Sequence, residues 1–269
     1  AAPNARRDER CVPQTDARRG HLTAERGKIT MDIYAKALNF SALNDAIRRA
    51  PTPCRIRGCL GQRFIAAGMG GKSIEIDGVP GNALGAYLTG AAITVRGNAQ
   101  DAVGDTMNDG TIVIHGSVGD AAGYAMRGGA IYVQGNAGYR AGIHMKEYGE
   151  KRPVLVIGGR AGSFLGEYQA GGRIVVLGLH TDDKPIVGNF PCTGMHGGKM
   201  FLRGHAPGVR FPDRTVVAPA TPEDRAELTP LIEQFCTLFG YDPRPLLAAE
   251  YTVVTPDSHN PYKQMYVSN

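Results

Sequence analysis

Two glycine-rich stretches carry residue types that bind phosphate. Residues 66 to 73, AAGMGGKS, set Ala66, Gly71, Lys72 and Ser73 in the register of a loosened phosphate loop. That chemistry needs a helix to follow the loop, because the first N–H groups of the helix cradle the anion. Here Ile74, Glu75, Ile76 and Asp77 alternate as a strand, so the glycines have another purpose. The run VLVIGGRAGSFLGEY starts like a dinucleotide fold, yet GGRAG lacks the G-x-G-x-x-G spacing and no helix follows it.

Side chains that could act as acids, bases, nucleophiles or metal ligands are scattered. Of seven histidines, His21, His115, His144, His180, His196, His205 and His259, none forms an H-x-x-x-H or H-E-x-x-H set. Five cysteines, Cys11, Cys54, Cys59, Cys192 and Cys236, include no C-x-x-C pair, which reads as reduced, cytosolic usage with Cys54 as a core residue. Glu167 lacks a partner carboxylate, and no G-x-S-x-G elbow is present. The residues therefore point to no catalytic, cofactor-binding or metal-ligating set in this chain. Glu167 and Tyr168 in GEYQAGG, and His196 in GMHGG, stand by turns of a repeat where a partner or small molecule could approach.

That repeat organises the chain. Tetrapeptides ending on a glycine recur as CRIR-Gly58, IEID-Gly78, ITVR-Gly97, IVIH-Gly116, IYVQ-Gly135, LVIG-Gly159, IVVL-Gly178 and MFLR-Gly204. The period is nineteen residues, with insertions at about 146 to 153 and 179 to 192. Aligned on the glycine, Cys54, Ile74, Ile93, Ile112, Ile131, Leu155, Ile174 and Met200 form one apolar column. Ile56, Ile76, Val95, Ile114, Val133, Ile157, Val176 and Leu202 form a second, two residues along and hence on the same strand face. A third column holds Met69, Leu88, Met107, Met126, Gln169 and Met195, and a glycine column holds Gly85, Gly104, Gly123, Gly142 and Gly166. A coil this short cannot cover its own apolar face, so coils must stack along a common axis. The expected fold is all-β: a right-handed β-helix of about eight Gly-rich coils over 54 to 206.

The flanks differ. Residues 1 to 30 are polar and Arg-rich, compatible with a mobile tail, a partner-binding arm or material upstream of a start at Met31. Residues 31 to 53 are expected to be helical, with Leu38, Ala42, Leu43, Ala46 and Ile47 on one side and Pro51 as the stop. Beyond 206, residues 207 to 222 read as irregular; a helix then starts at Thr221 as N-cap with Pro222 at its first position and ends at Gly240. A short strand and an extended Pro-containing tail close the chain to 269. The net charge is +5, of which +3 lies in the first thirty residues, leaving too little clustered basic charge for a nucleic-acid binder. No apolar run approaches the ~18 residues of a membrane span. These features imply a soluble cytoplasmic protein with no nucleic-acid or membrane partner.

The segments MRGGAIYVQGNAG and GEYQAGGRIVVLG resemble the GXGXG β-helix domain that closes the large (alpha) subunit of glutamate synthase; related domains form a subunit of formylmethanofuran dehydrogenase. Glu167, Tyr168, Gly171, Gly172, Val175, Val176, Leu177 and Gly178 match the synthase pattern E-Y-M-x-G-G-x-V-V-V-L-G, with Gln169 in place of Met. Gly194, Met195, Gly197 and Gly198 match the next turn, with His196 at its variable place. The resemblance implies a non-catalytic structural subunit holding a glutamine amidotransferase subunit and an FMN-binding glutamate synthase subunit in register for ammonia transfer. FMN and iron–sulfur clusters would belong to those partners and no cofactor to this chain. The alternative is a structural subunit of a formylmethanofuran dehydrogenase or formyltransferase/hydrolase-like one-carbon complex. A third reading, an independent β-helix enzyme, would require a long groove lined with carboxylates.

Overall fold

A computed structural model describes residues 31–181 and 184–257; the expectations for residues 1 to 30 and for the C-terminal tail lie outside them. The repeat forms the rungs of one parallel sheet: β2 (Cys54–Leu60), β3 (Ser73–Val79), β4 (Thr89–Val95), β5 (Asp109–Ile114), β6 (Ala130–Val133), β7 (Val154–Ile157), β8 (Ala170–Val176) and β9 (Gly197–Arg203). Register follows the repeat, pairing Ile74 with Ile93, Ile93 with Ile112 and Ile112 with Ile131. Both strand columns are buried along the rod, and the interior is closed by Ile65, Leu84, Val103 and Leu165. A narrow second ladder of single parallel bridges links Ala99, Val118, Ala137, Ala161 and Val187. The result is a right-handed β-solenoid of about eight turns with helices at both ends.

The methionine column is longer than the period alone indicates. Met145 is fully buried within it, because the first insertion follows Met145, as a small excursion closed by the Tyr148–Lys151 bridge. The second insertion ends sooner than expected, since Val187 already rejoins the bridge ladder. Gln169 occupies a methionine place and is fully buried. Its Nε2 donates to the carbonyls of Gly171 and Gly172 at 3.1 and 3.2 Å, while its Oε1 has no hydrogen-bond partner among the described residues.

At the N-terminal end the expected helix over 31 to 53 is shorter. Asp32–Tyr34 forms β1, pairing in parallel with β2, and α1 covers only Phe40–Arg49. Ile33 points inward between two exposed neighbours, so a strand satisfies it where a helix would not. Asn39 caps α1, its side chain accepting from the Ala42 N–H. Leu43 and Ile47 close the interior. Asn44 replaces a missing preceding coil: its Nδ2 donates to the Phe40 and Phe64 carbonyls at 2.9 Å, and its Oδ1 accepts from the Ala66 N–H at 2.8 Å. Open ends of a repeat stack need such caps.

The C-terminal region folds back on the rod. The stretch expected to be irregular contains β10 (Thr215–Pro219), and α2 (Pro222–Phe239) is followed by α3 (Pro243–Ala248) and β11 (Tyr251–Pro256). β11 pairs antiparallel with β9 and β10 antiparallel with β11, ending the parallel series. The helix begins with a capping box of Thr221 and Asp224 and ends at Gly240 in a left-handed conformation, φ 75°. Leu228, Ile232, Phe235, Cys236 and Phe239 bury one face of α2 against Val113, Tyr132, Val156, Val175 and Phe201 on the outside of the sheet. At the end of this contact Arg173 bonds Glu227 at 2.5 Å and Glu147 at 3.2 Å, and Lys199 bonds Asp224 at 2.6 Å.

Candidate interaction surface

Each coil leaves the sheet through an arc in which every second residue is left-handed. In the second arc Ala83, Gly85 and Tyr87 have φ of 63°, 65° and 57°; in the fifth Arg140, Gly142 and His144 have 56°, 68° and 56°. The alternation aims successive N–H groups along the rod in opposite directions. Ala83 and Tyr87 donate forward to the carbonyls of Asp101 and Asp105, while Gly85 donates back to that of Ile65. The middle position is glycine wherever coils lie above and below. A Cβ on Gly104 would stand 2.5 Å from Ile131 Cδ1, even apart from the strain of its φ. The outer two positions range from buried, as at Ala83 and Thr106, to exposed, as at Tyr87 and His144, and tolerate a side chain at a strain of roughly 1–2 kcal/mol per residue.

How the outer positions are filled changes along the rod. The third and fourth arcs hold Ala102, Thr106, Ala121 and Ala125; the fifth to seventh hold Arg140, His144, Phe164, Tyr168 and Phe190. These larger side chains stack. The His144 and Tyr168 rings lie nearly parallel with centroids 5.2 Å apart, Tyr124 meets His144 edge-on at 5.9 Å, and Phe164 stacks on Phe190 at 5.4 Å. Arg140 lies 5.1 Å from the Phe164 ring centroid and bonds Glu167 at 3.0 Å. The next position toward the sheet carries Arg127 and Lys146 on neighbouring coils, both exposed.

Two of the three residues singled out from sequence meet here. Glu167 is largely buried as the anchor of Arg140, and Tyr168 is 39% exposed on top of His144. His196 lies on the last arc, in the column of Arg127 and Lys146, with Nδ1 3.0 Å from the Gly194 carbonyl. Gly194 follows Tyr168 in its column, and a Cβ there would stand 2.5 Å from the Tyr168 ring. Sequence reading missed Tyr124, Arg140 and Phe164. The available signal was bulky residues at places where other coils have alanine. The loop resembling a phosphate site is an ordinary arc that runs straight into β3, with Lys72 Nζ on the Ala50 carbonyl at 2.6 Å. Among the thiols, burial pushes Cys192 up to about 12 and Cys59 up to about 11, the latter against a hydrogen bond from its Gln62 neighbour, so neither is a thiolate at neutral pH.

A stacked rod with left-handed residues at i, i+2 and i+4 of every arc defines a solenoid class, and that spacing is the one the letters GXGXG spell. Residues 37–257 match the family model described as GXGXG motif, and the chain belongs to that family. It is 42% identical over 248 residues to an uncharacterized protein, MJ1350, of Methanocaldococcus jannaschii, covering 87% of this chain and 95% of that protein. It also shares its fold with a chain in the X-ray structure of the formyltransferase/hydrolase complex FhcABCD from Methylorubrum extorquens bound to methylofuran. There the TM-score is 0.58 at 21% identity, covering 86% of this chain and 93% of the other.

Proposed function

We propose that this chain is a non-catalytic β-solenoid subunit that positions catalytic units within a multi-subunit cytoplasmic complex. The observation that carries the proposal is how the molecule distributes its side chains. Its interior is packed with aliphatic and methionine residues along the rod, while exposed aromatic and charged groups gather on one side of the arcs. A rigid rod of this kind fixes the separation and orientation of what it holds, which keeps a transferred intermediate from dilution in water.

A one-carbon assembly of the formyltransferase/hydrolase type is the preferred setting. The likeness in fold spans 93% of a chain within such a complex, so the whole unit, and not a fragment of it, would be shared. A second reading keeps the glutamate synthase setting, with glutamine amidotransferase and FMN-binding synthase partners, because of the EYQAGGRIVVLG segment. In this chain that segment is the sixth arc and the strand β8 that follows it. Isolation of the tagged full chain from its native cells, with the partners identified by mass, decides between them. Formyl-transfer or molybdopterin-type partners support the first reading, and amidotransferase and FMN polypeptides the second. Recovery of the free chain alone sinks both.

A further inference from the structure

We infer that the ledge formed by Tyr124, His144 and Tyr168, with Arg127, Arg140 and Lys146 beside it, is a docking surface for an extended acidic segment of a partner protein. This deepens the proposed subunit role and rests on it for the partner's presence in a complex. Three observations carry it. First, Arg140, His144 and Tyr168 are bulky side chains on left-handed backbone, φ 53–56°, where the two arcs before them carry only Ala102, Thr106, Ala121 and Ala125. Strain of that kind persists where something else selects the side chain. Second, the rings stack on one another along the rod axis and remain open to solvent, giving a flat apolar strip that an extended chain can cover.

The third observation is charge. Arg127 and Lys146 occupy adjacent coils, a spacing of ~4.8 Å, and enter no ion pair among the described residues. The carboxylates nearest them in the chain pair elsewhere, Glu167 with Arg140 and Glu147 with Arg173. The strip therefore offers cations without a counter-charge, and carboxylates on the incoming segment complete them. Stacking rings beside cations also suit a single-stranded nucleic acid, but that ligand needs a continuous basic groove along its backbone. Among the described residues the ledge supplies two cations outside ion pairs, Arg127 and Lys146, which match two carboxylates of a peptide but form no such track.

The test measures fluorescence anisotropy of the full chain with three labelled probes: a copolymer of glutamate and tyrosine, a copolymer of lysine and tyrosine, and oligouridylate. The acidic copolymer is expected to bind, with affinity falling as salt rises. Arg127→Glu/Lys146→Glu and, separately, His144→Ala/Tyr168→Ala should each weaken it about tenfold, with melting temperature checked in parallel. Asp45→Ala, on the exposed face of α1 at the N-terminal end of the rod, should leave binding unchanged. No binding of the acidic copolymer, equal binding of the basic one, preference for oligouridylate, or binding unaffected by both double variants overturns the inference.

A second measurement separates this inference from the subunit role. If the wild-type chain copurifies with partners and the Arg127→Glu/Lys146→Glu variant retains them fully, the ledge is not their interface and the inference fails while the subunit role stands. If the chain is isolated free yet binds the acidic copolymer through the ledge, the subunit role fails and the acidic-segment site stands.

Discussion

The outer face of the sheet is treated in two opposite ways along its length. On the first four rungs, β1 to β4, it is a lattice of charges: Arg55 bonds Glu75 at 2.7 Å, Arg96 bonds the same carboxylate at 2.6 Å, and Arg57 bridges Asp32 and Asp77. From β5 onward the equivalent places are Val113, Tyr132, Val156, Val175 and Phe201, and α2 covers them. The sheet's backbone geometry continues through both halves. The difference teaches that a solenoid sheet needs only its inner face for folding, so its outer face is available for either water or a lid. Burial of an apolar face contributes ~25 cal/mol per Å², whereas exposed ion pairs contribute at most ~1 kcal/mol each. The covered half is therefore the stronger attachment.

The largest effect that would break this contrast is Phe235→Ala. Its ring is fully buried against Phe239 and Tyr241, and its loss should cost about 3–5 kcal/mol, read by denaturant unfolding. Proteolysis should then cut first at α2. Next comes Arg173→Met at the edge of the covered half, which leaves Glu147 and Glu227 without their shared cation. Both carboxylates keep some access to water, so we expect a loss of about 1–2 kcal/mol.

On the charged half, Glu75→Gln should cost less, about 0.5–1 kcal/mol, and the loss should shrink in high salt. Burial raises the Glu75 carboxyl, but hydrogen bonds and charge from Arg55 and Arg96 outweigh it and hold it below the ordinary 4.5. Its contribution is present above that value and is lost as pH falls through its lowered folded value. The smallest effect belongs to His115, at the boundary, edge-on to Phe239 at 5.2 Å and 3.1 Å from Arg96. Burial, then the Arg96 charge, push its pKa below 6.5. The unfolded chain binds a proton there first, so stability falls as pH drops from 6.5 toward the folded value. His115→Gln should flatten that part of a melting-temperature profile measured between pH 7 and 5.

The arcs repeat the contrast on another side of the rod, with small residues on the third and fourth and bulky ones on the fifth to seventh. Much of this is legible in the sequence, because every coil repeats its pattern and the two strand columns appear as unbroken runs of apolar residues. The outward column that changes from Arg55, Glu75 and Thr94 to Val113, Tyr132 and Val156 is equally visible, and it marks where a cover must lie. What covers it is not visible, because α2 is distant in the chain. The site is legible in part: Glu167 and Tyr168 stand out by motif, but their partners Arg140 and His144 belong to the preceding coil, which the insertion after Lys146 displaces from the period.

The sequence by itself determined the rod: its period, its two inward strand columns, its middle glycines and the capped ends of α2. These follow from local alternation and from residue types that admit few backbone conformations. Only the tertiary structure decided that Asp32–Tyr34 is a rung and not a helix, that β11 returns antiparallel to end the stack, and that His144, Tyr168 and Tyr124 form one ledge. Each of these depends on a neighbour from another coil or another part of the chain, and stacking selects that neighbour through space after local preferences have been satisfied.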